Sequence, residues 1–148
     1  MVSDENQSHY LAANMETYGG NETDPVRKSD FEESNLMHSM NGYVYGNLPG
    51  LEVTEGDTVR WHVAAFGTEV DLHTAHWHGN DVRFGGRNVD VIELLPASFF
   101  TAIMTPDAVG NWQFHCHVND HILAGMQSFY TVLARPRRDN RHKHRGNN

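Results

Sequence analysis

The sequence predicts an all-β sandwich or barrel, and three observations carry that reading. Short apolar-rich runs recur from about Leu36 to Leu133, clusters of Gly, Pro, Asn and Asp separate them, and only NDHILAG (119–125) has room for a helical turn. Several short strands at regular spacing are the pattern of a single sandwich or barrel, and no internal repeat is present.

Residues 1–35 are polar and without periodicity, and read as an N-terminal arm or loop packing on the domain that spans 36–134. GNLPG (46–50) and TEGDT (54–58) bracket a short strand at Leu51 to Val53. The run 58–66 then alternates, with Val59, Trp61 and Val63 on one face and Arg60 and His62 on the other. Further strands are expected at 70–78, 88–94, 98–104, 111–117 and 127–133, with turns at GND, FGGRN and TPDAVGN. Residues 135–148, RPRRDNRHKHRGNN, read as a basic, solvated and disordered tail.

A chain of 148 residues suits one domain with a real core, and no apolar run approaches the roughly 18 residues of a membrane helix. The polar, acidic N-terminus does not have the pattern of a secretory signal. Two glycosylation triplets, Asn6-Gln7-Ser8 and Asn21-Glu22-Thr23, lean toward a glycoprotein that is secreted or part of a larger extracytoplasmic protein. Six of the eleven basic residues lie in the tail, so residues 1–134 carry five basic against eighteen acidic residues, a net −13. Such a body disfavours nucleic acid and favours cations.

The chemistry concentrates in two segments. FHCHVNDHILAGM (114–126) holds the only cysteine, Cys116, with a histidine on each side, His121 five residues on and Met126 five beyond. A thiolate, two imidazoles and a weak axial thioether form the donor set of a blue copper electron-transfer site. Cys116, His121 and Met126 supply three of these, and VDLHTAHWHG (70–79) offers the fourth. Alternate side chains of an extended strand face opposite ways. Cys116 therefore points away from His115 and His117, and His73 away from His76 and His78. His73, Cys116, His121 and Met126 converge on one copper, while His76, His78, His115 and His117 form an all-imidazole set on the opposite side. His9, His62, His142 and His144 fall outside this pattern and read as ordinary histidines.

The motifs H-x-x-H-x-H-G and H-C-H-x-x-x-H-x-x-x-x-M resemble the C-terminal signature of the multicopper oxidases. The wider match, through SDENQSHYLAANMETY, ESNLMHSMNGYVYGNLPGL and FYTVL, is similar to the last domain of the ceruloplasmin and hephaestin group and covers roughly residues 3–134. The resemblance implies a Greek-key cupredoxin β-barrel. It implies type 1 copper at His73, Cys116, His121 and Met126, type 2 copper at His76, and the type 3 pair at His78, His115 and His117. It further implies one-electron oxidations at type 1 copper, with electrons leaving through Cys116 and its flanking His115 and His117 to reduce dioxygen to water. In that family the trinuclear cluster takes four H-x-H pairs from two domains. The pairs assigned to it here are two, His76/His78 and His115/His117, so another cupredoxin domain or a homo-oligomer is the expected partner.

For the reductant, the resemblance implies an iron site at Glu33, His38 and Asp120, hence a ferroxidase with a part in iron transport. Carboxylate and imidazole donors suit Fe(II). Three other readings compete. A type 1 electron carrier would leave His76, His78, His115 and His117 idle. A nitrite reductase-like or laccase-like copper enzyme shares the architecture, although the former needs only three histidines across its interface. An inactive domain would show missing ligands, and this half of the cluster has none missing.

Overall fold

The computed structural model describes residues 37–66 and 72–136, the backbone of residues 2–5, and residues 13, 16 and 17. Its strands, in chain order, are β1 (Val2–Glu5), β2 (Met37–Met40), β3 (Glu52–Thr54), β4 (Val59–Ala64), β5 (His73–Trp77), β6 (Val82–Phe84), β7 (Arg87–Val89), β8 (Val91–Leu94), β9 (Phe99–Met104), β10 (Gly110–Cys116) and β11 (Gln127–Leu133). A short helix, α1 (Asn119–Leu123), falls in the NDHILAG stretch where a helical turn was expected.

The strands form a five-stranded sheet ordered β3-β11-β10-β5-β8, a four-stranded sheet ordered β4-β9-β6-β7, and the pair β1-β2. β3 runs parallel to β11, and the other named pairs are antiparallel. The expectation of an all-β sandwich holds.

Alternation builds the core. β5 turns His73, Ala75 and Trp77 inward and leaves Thr74 and His76 half-buried on its other face. β4 follows the expected split, with Arg60 and His62 exposed and Val63 buried. β9 buries Ala102 and Met104, and β11 buries Ser128, Tyr130 and Val132. Both sheets contribute to one apolar cluster, against which the partly buried Trp61 packs 5.7 Å from Trp77, 5.2 Å from Phe114 and 5.6 Å from Tyr130, centroid to centroid. These offset and edge-on arrangements are the ones that aromatic quadrupoles favour.

Two departures from the sequence reading bear on the site. The expected strand 88–94 is two strands: β7 belongs to the four-stranded sheet and β8 to the five-stranded one, so the chain changes sheets at Asp90. β6, which starts between the expected turns GND and FGGRN and ends on the first residue of the second, is a three-residue strand with only Val82 turned inward, too short to show a period. Val70 and Asp71, placed at the start of the strand 70–78, lie outside the described residues.

Candidate metal centre

Strand pairing sets the site. β5 and β10 are antiparallel neighbours, with Ala75 opposite Cys116, His76 opposite His115 and Trp77 opposite Phe114. Residues directly opposite share a face of the sheet. Cys116 and Ala75 therefore face the core, with His73 two residues along on the same side, while His115 and His76 project together from the other side.

On the core side, Cys116 Sγ lies 3.5 Å from His121 Nδ1 and 4.0 Å from His73 Nδ1. All three residues are buried, and their ligand atoms lie within 4.8 Å of one another. A first-row metal bound to a thiolate at about 2.3 Å and an imidazole at about 2.05 Å, at tetrahedral to trigonal angles, holds S and N roughly 3.5–3.8 Å apart. The observed separations lie at the lower edge of that range and about 0.2 Å above it, so the donor set fits copper.

Local structure places His121 and Met126 beside Cys116. Helix α1 carries His121 one turn from the end of β10, and the Met126 N–H donates to the His121 carbonyl at 2.9 Å. The Cys116 N–H in turn donates to the Met126 carbonyl at 3.0 Å, which draws the fully buried Met126 back beside the cysteine. Gly125 makes this return possible. Its φ is +103°, and a Cβ there would come within 2.9 Å of the Val44 side chain. The Thr74 N–H points at Cys116 Sγ from 3.4 Å, and Thr74 Oγ1 accepts from the His117 N–H at 3.0 Å. Thr74 thus touches both halves of the site, a role that sequence reasoning missed. Its position in H-T-A-H was the available signal.

On the opposite side, His115 Nε2 lies 3.1 Å from His76 Nδ1 and 2.9 Å from His78 Nε2. One ring nitrogen from each of His76, His78 and His115 lies within 4.8 Å of the others, so this set too could hold metal. The His115 Nδ1–H donates to the Cys116 carbonyl at 2.8 Å, which fixes the tautomer and leaves the Nε2 lone pair aimed at the other two rings. Asp90, at the sheet crossover, lies 3.7 Å from His76 Nε2. His117 stands at the exposed edge, its ring centroid 5.2 Å from that of His76 and 5.4 Å from that of His115. Burial first, and the neighbouring imidazoles after it, hold His76 below the ordinary histidine range, against the opposing pull of Asp90. Burial likewise leads in lowering His115, against the hydrogen bond to Cys116. Both shifts favour the neutral ring that binds a metal.

Beneath this set, the Tyr130 O–H donates to the His78 carbonyl at 2.5 Å and accepts from Asn80 Nδ2 at 3.1 Å. Asn80 Oδ1 accepts from the N–H groups of Asp107 and Ala108, each at 3.1 Å. An open cleft of about 450 Å³ lies beside His76 and His78, which wall it together with Asn80, Asp81, Asp90 and Asp107.

Of the residues assigned to iron, His38 stacks on His121, with ring centroids 4.1 Å apart and planes at 20°. Asp120 is exposed in the first turn of α1. Glu33 lies outside the described residues.

The family model for multicopper oxidases matches residues 20–135. This chain belongs to the multicopper oxidase family. Among curated relatives of the family it is 46% identical over 137 residues to ceruloplasmin of Rattus norvegicus, covering 90% of this chain and 13% of that protein. It is 42% identical to hephaestin of Rattus norvegicus, over 90% of this chain and 12% of that protein, and 44% identical to ferroxidase HEPHL1 of Mus musculus, over 90% and 12%. The chain therefore spans about an eighth of the length of these relatives. The solved multicopper oxidase from Campylobacter jejuni, a metallo-oxidase, superposes on 90% of this chain and 29% of its own with a TM-score of 0.60 at 19% identity. The blue copper oxidase from Nitrosomonas europaea covers 66% of this chain and 34% of its own, with a TM-score of 0.55 at 19% identity. The fold of the multicopper oxidase domain, the Greek-key cupredoxin barrel, is thus the fold of this chain, and copper is the family's cofactor.

Proposed function

We propose that the chain is the electron-accepting domain of a multicopper ferroxidase. His73, Cys116, His121 and Met126 would hold type 1 copper, His76 type 2 copper, and His78, His115 and His117 the type 3 pair, with the cluster completed by another cupredoxin domain or subunit. The observation that carries this reading is the pairing of Cys116 with Ala75 and of His115 with His76, which sets two metal-competent groups back to back across one sheet. Bound copper would supply one-electron oxidation of the donor on the core side and reduction of dioxygen on the other. The chain's own residues do the rest. Burial excludes water from the Cys116 side. The Thr74 N–H directed at Sγ stabilises the thiolate. Cys116 and His115 are adjacent in the chain and joined again by the hydrogen bond from Nδ1 to the Cys116 carbonyl, which gives two short paths from one group to the other.

Fe(II) is the proposed donor, held by Glu33, His38 and Asp120. The name ferroxidase on one relative supports this, as does the contact of His38 with His121, which would place an iron ligand against a type 1 ligand. The acidic body would gather cations by steering. The resemblance and the two glycosylation triplets, which lie outside the described residues, favour an extracellular setting. None of the helices among the described residues is long and apolar enough to cross a membrane.

The test combines copper stoichiometry with the mass of the assembly, the visible band of thiolate-bound copper, and oxygen uptake. A monomer that binds one copper, shows the visible band and leaves dioxygen unreduced would favour a type 1 electron carrier instead. For the donor, Glu33→Gln and Asp120→Asn should depress Fe(II) oxidation at least tenfold more than oxidation of a bulky aromatic amine. Equal losses on both substrates would remove the iron site.

A further inference from the structure

Among the described residues, β3, β8, β4 and β7 stand at the edges of the two larger sheets. An edge strand presents a row of unpaired N–H and C=O groups, and proteins blunt it by keeping it short or by adding lysine, proline or an inward charge. β3, β7 and β8 have three or four residues. β4 has six, pairs with β9 alone, and contains neither lysine nor proline. Its inward positions, Val59, Trp61 and Val63, are all apolar.

The residue after β4 shows which backbone groups face the open edge. The Ala65 N–H donates to the Ser98 carbonyl at 2.9 Å, and the Ala65 carbonyl accepts from the Ala97 N–H at 3.0 Å, so Ala65 bonds toward β9. Bonding direction alternates along an antiparallel strand. Trp61 and Val63 therefore also bond toward β9, while the N–H and C=O groups of Arg60 and His62 turn to the open edge. A groove of about 300 Å³ borders β4 there, from Arg60 to Val63. None of its described lining residues belongs to β9. Its apolar lining includes Leu48 and Leu51, packed against the core, and Phe114 of the core itself. Arg60 is the only Lys, Arg, Asp or Glu among the lining residues, is exposed, and has no acidic partner among the described residues.

We propose that this groove takes an extended segment of another polypeptide, which adds to β4 as a further strand. Pairing satisfies the edge-facing backbone groups of Arg60 and His62. Residues directly opposite share a face of a sheet, which sets the chemistry of the segment. The residue opposite Arg60 faces outward beside the unpaired guanidinium and is an acid. The residues on either side of it turn inward toward Leu48, Leu51, Trp61 and Phe114 and are apolar. The occupant is thus a strand with an acidic residue between two apolar ones, chosen by charge complementarity, backbone pairing and apolar contact together. At about 300 Å³ the groove is at the lower limit of small-molecule pockets, and its backbone-bearing edge suits an extended chain. The inference uses no metal ligand and stands apart from the proposed copper chemistry.

The test uses the full chain and a blocked peptide of alternating threonine and valine, with glutamate in place of the central threonine. Amide hydrogen exchange at Arg60 and His62, followed by NMR, should slow by about tenfold or more when the peptide is added. Exchange along β7, the other edge of that sheet, should not change. A peptide with lysine in place of the glutamate should bind the parent chain about tenfold or more weakly, and should regain affinity for Arg60→Glu. A peptide N-methylated at the glutamate and at every second residue from it keeps the side chains and loses the pairing, so it too should bind weakly. Unchanged exchange at Arg60 and His62, or equal binding of the glutamate and lysine peptides to the parent chain, overturns the proposal. Exchange at these amides that slows with rising protein concentration, without peptide, would show β4 pairing with a second copy of itself and would also overturn it.

Discussion

Removing one oxygen atom from the core should loosen the imidazole set without touching the thiolate side. In Tyr130→Phe, the His78 carbonyl loses a donor at 2.5 Å and Asn80 Nδ2 loses an acceptor at 3.1 Å. Each buried polar group left unsatisfied costs about 1–3 kcal/mol. His78 is half-buried, so water can reach toward its carbonyl and the cost there falls at the low end. Asn80 is 7% exposed and still holds Asp107 and Ala108 through Oδ1, so its amide cannot turn away to find another acceptor without breaking those bonds. Both losses belong to one network and do not simply add. We expect a destabilisation of about 2–3 kcal/mol, or a fall in Tm of roughly 4–10 °C for a chain of this size. Urea unfolding of the metal-free protein measures it. Copper titration of the same variant should show weaker binding at His76, His78 and His115, because the His78 backbone is no longer pinned, with an unaltered visible band. An unfolding free energy within about 0.5 kcal/mol of the parent would refute the energetic argument. Equal damage to the visible band would refute the separation of the two sides.

Cys116→Ser should abolish the visible thiolate band, since the hydroxyl stays protonated and binds copper weakly, while His76, His78 and His115 still take up copper; dialysis followed by metal analysis shows both. Gly79 has φ +72° and its missing Cβ would fall 2.1 Å from the Trp112 ring, so Gly79→Ala should destabilise the fold by more than about 3 kcal/mol, read from the urea midpoint. His76 and His115 have pKa values held below the ordinary range, so the native state binds fewer protons than the unfolded chain in mildly acid solution. Stability of the metal-free protein should be intact above about pH 6.5 and fall progressively as pH drops toward and through the lowered folded values, measured by urea midpoints at a series of pH values.

The parts of the site that depend on alternation were legible in the sequence, and those that depend on distant partners were not. Parity alone separates Cys116 from His115 and His73 from His76, because a strand leaves no other choice. The fold class follows from the same periodicity, and β11 matches its expected bounds of 127–133. Asp90, by contrast, reads as one more residue of a strand, since nothing in NVDVIEL marks where the chain changes sheets. Thr74, Asn80 and Tyr130 escape for a related reason. Their roles lie in hydrogen bonds spanning 43, 50 and 52 residues of chain, and an isolated threonine, asparagine or tyrosine carries no trace of its partner.

What parity cannot supply is register, and both metal groups depend on it. Sliding β10 against β5 by one residue would turn Cys116 to the imidazole side and His115 into the core. The structure closes off that slip from several directions. Trp112 occupies the space beside Gly79 that a one-residue shift would move out of alignment. The His78 N–H donates to the Gln113 carbonyl at 2.9 Å beyond the end of β5, and the His117 N–H donates to the Thr74 carbonyl at 3.0 Å at the other end. Tyr130, from the neighbouring strand, holds the His78 carbonyl in place. The residues that fix register are therefore those that border the donors, and Thr74 and His78 belong to both groups. A substitution that loosens the β5-β10 pairing should degrade the two metal groups together, whereas one that removes a donor on one face should spare the other.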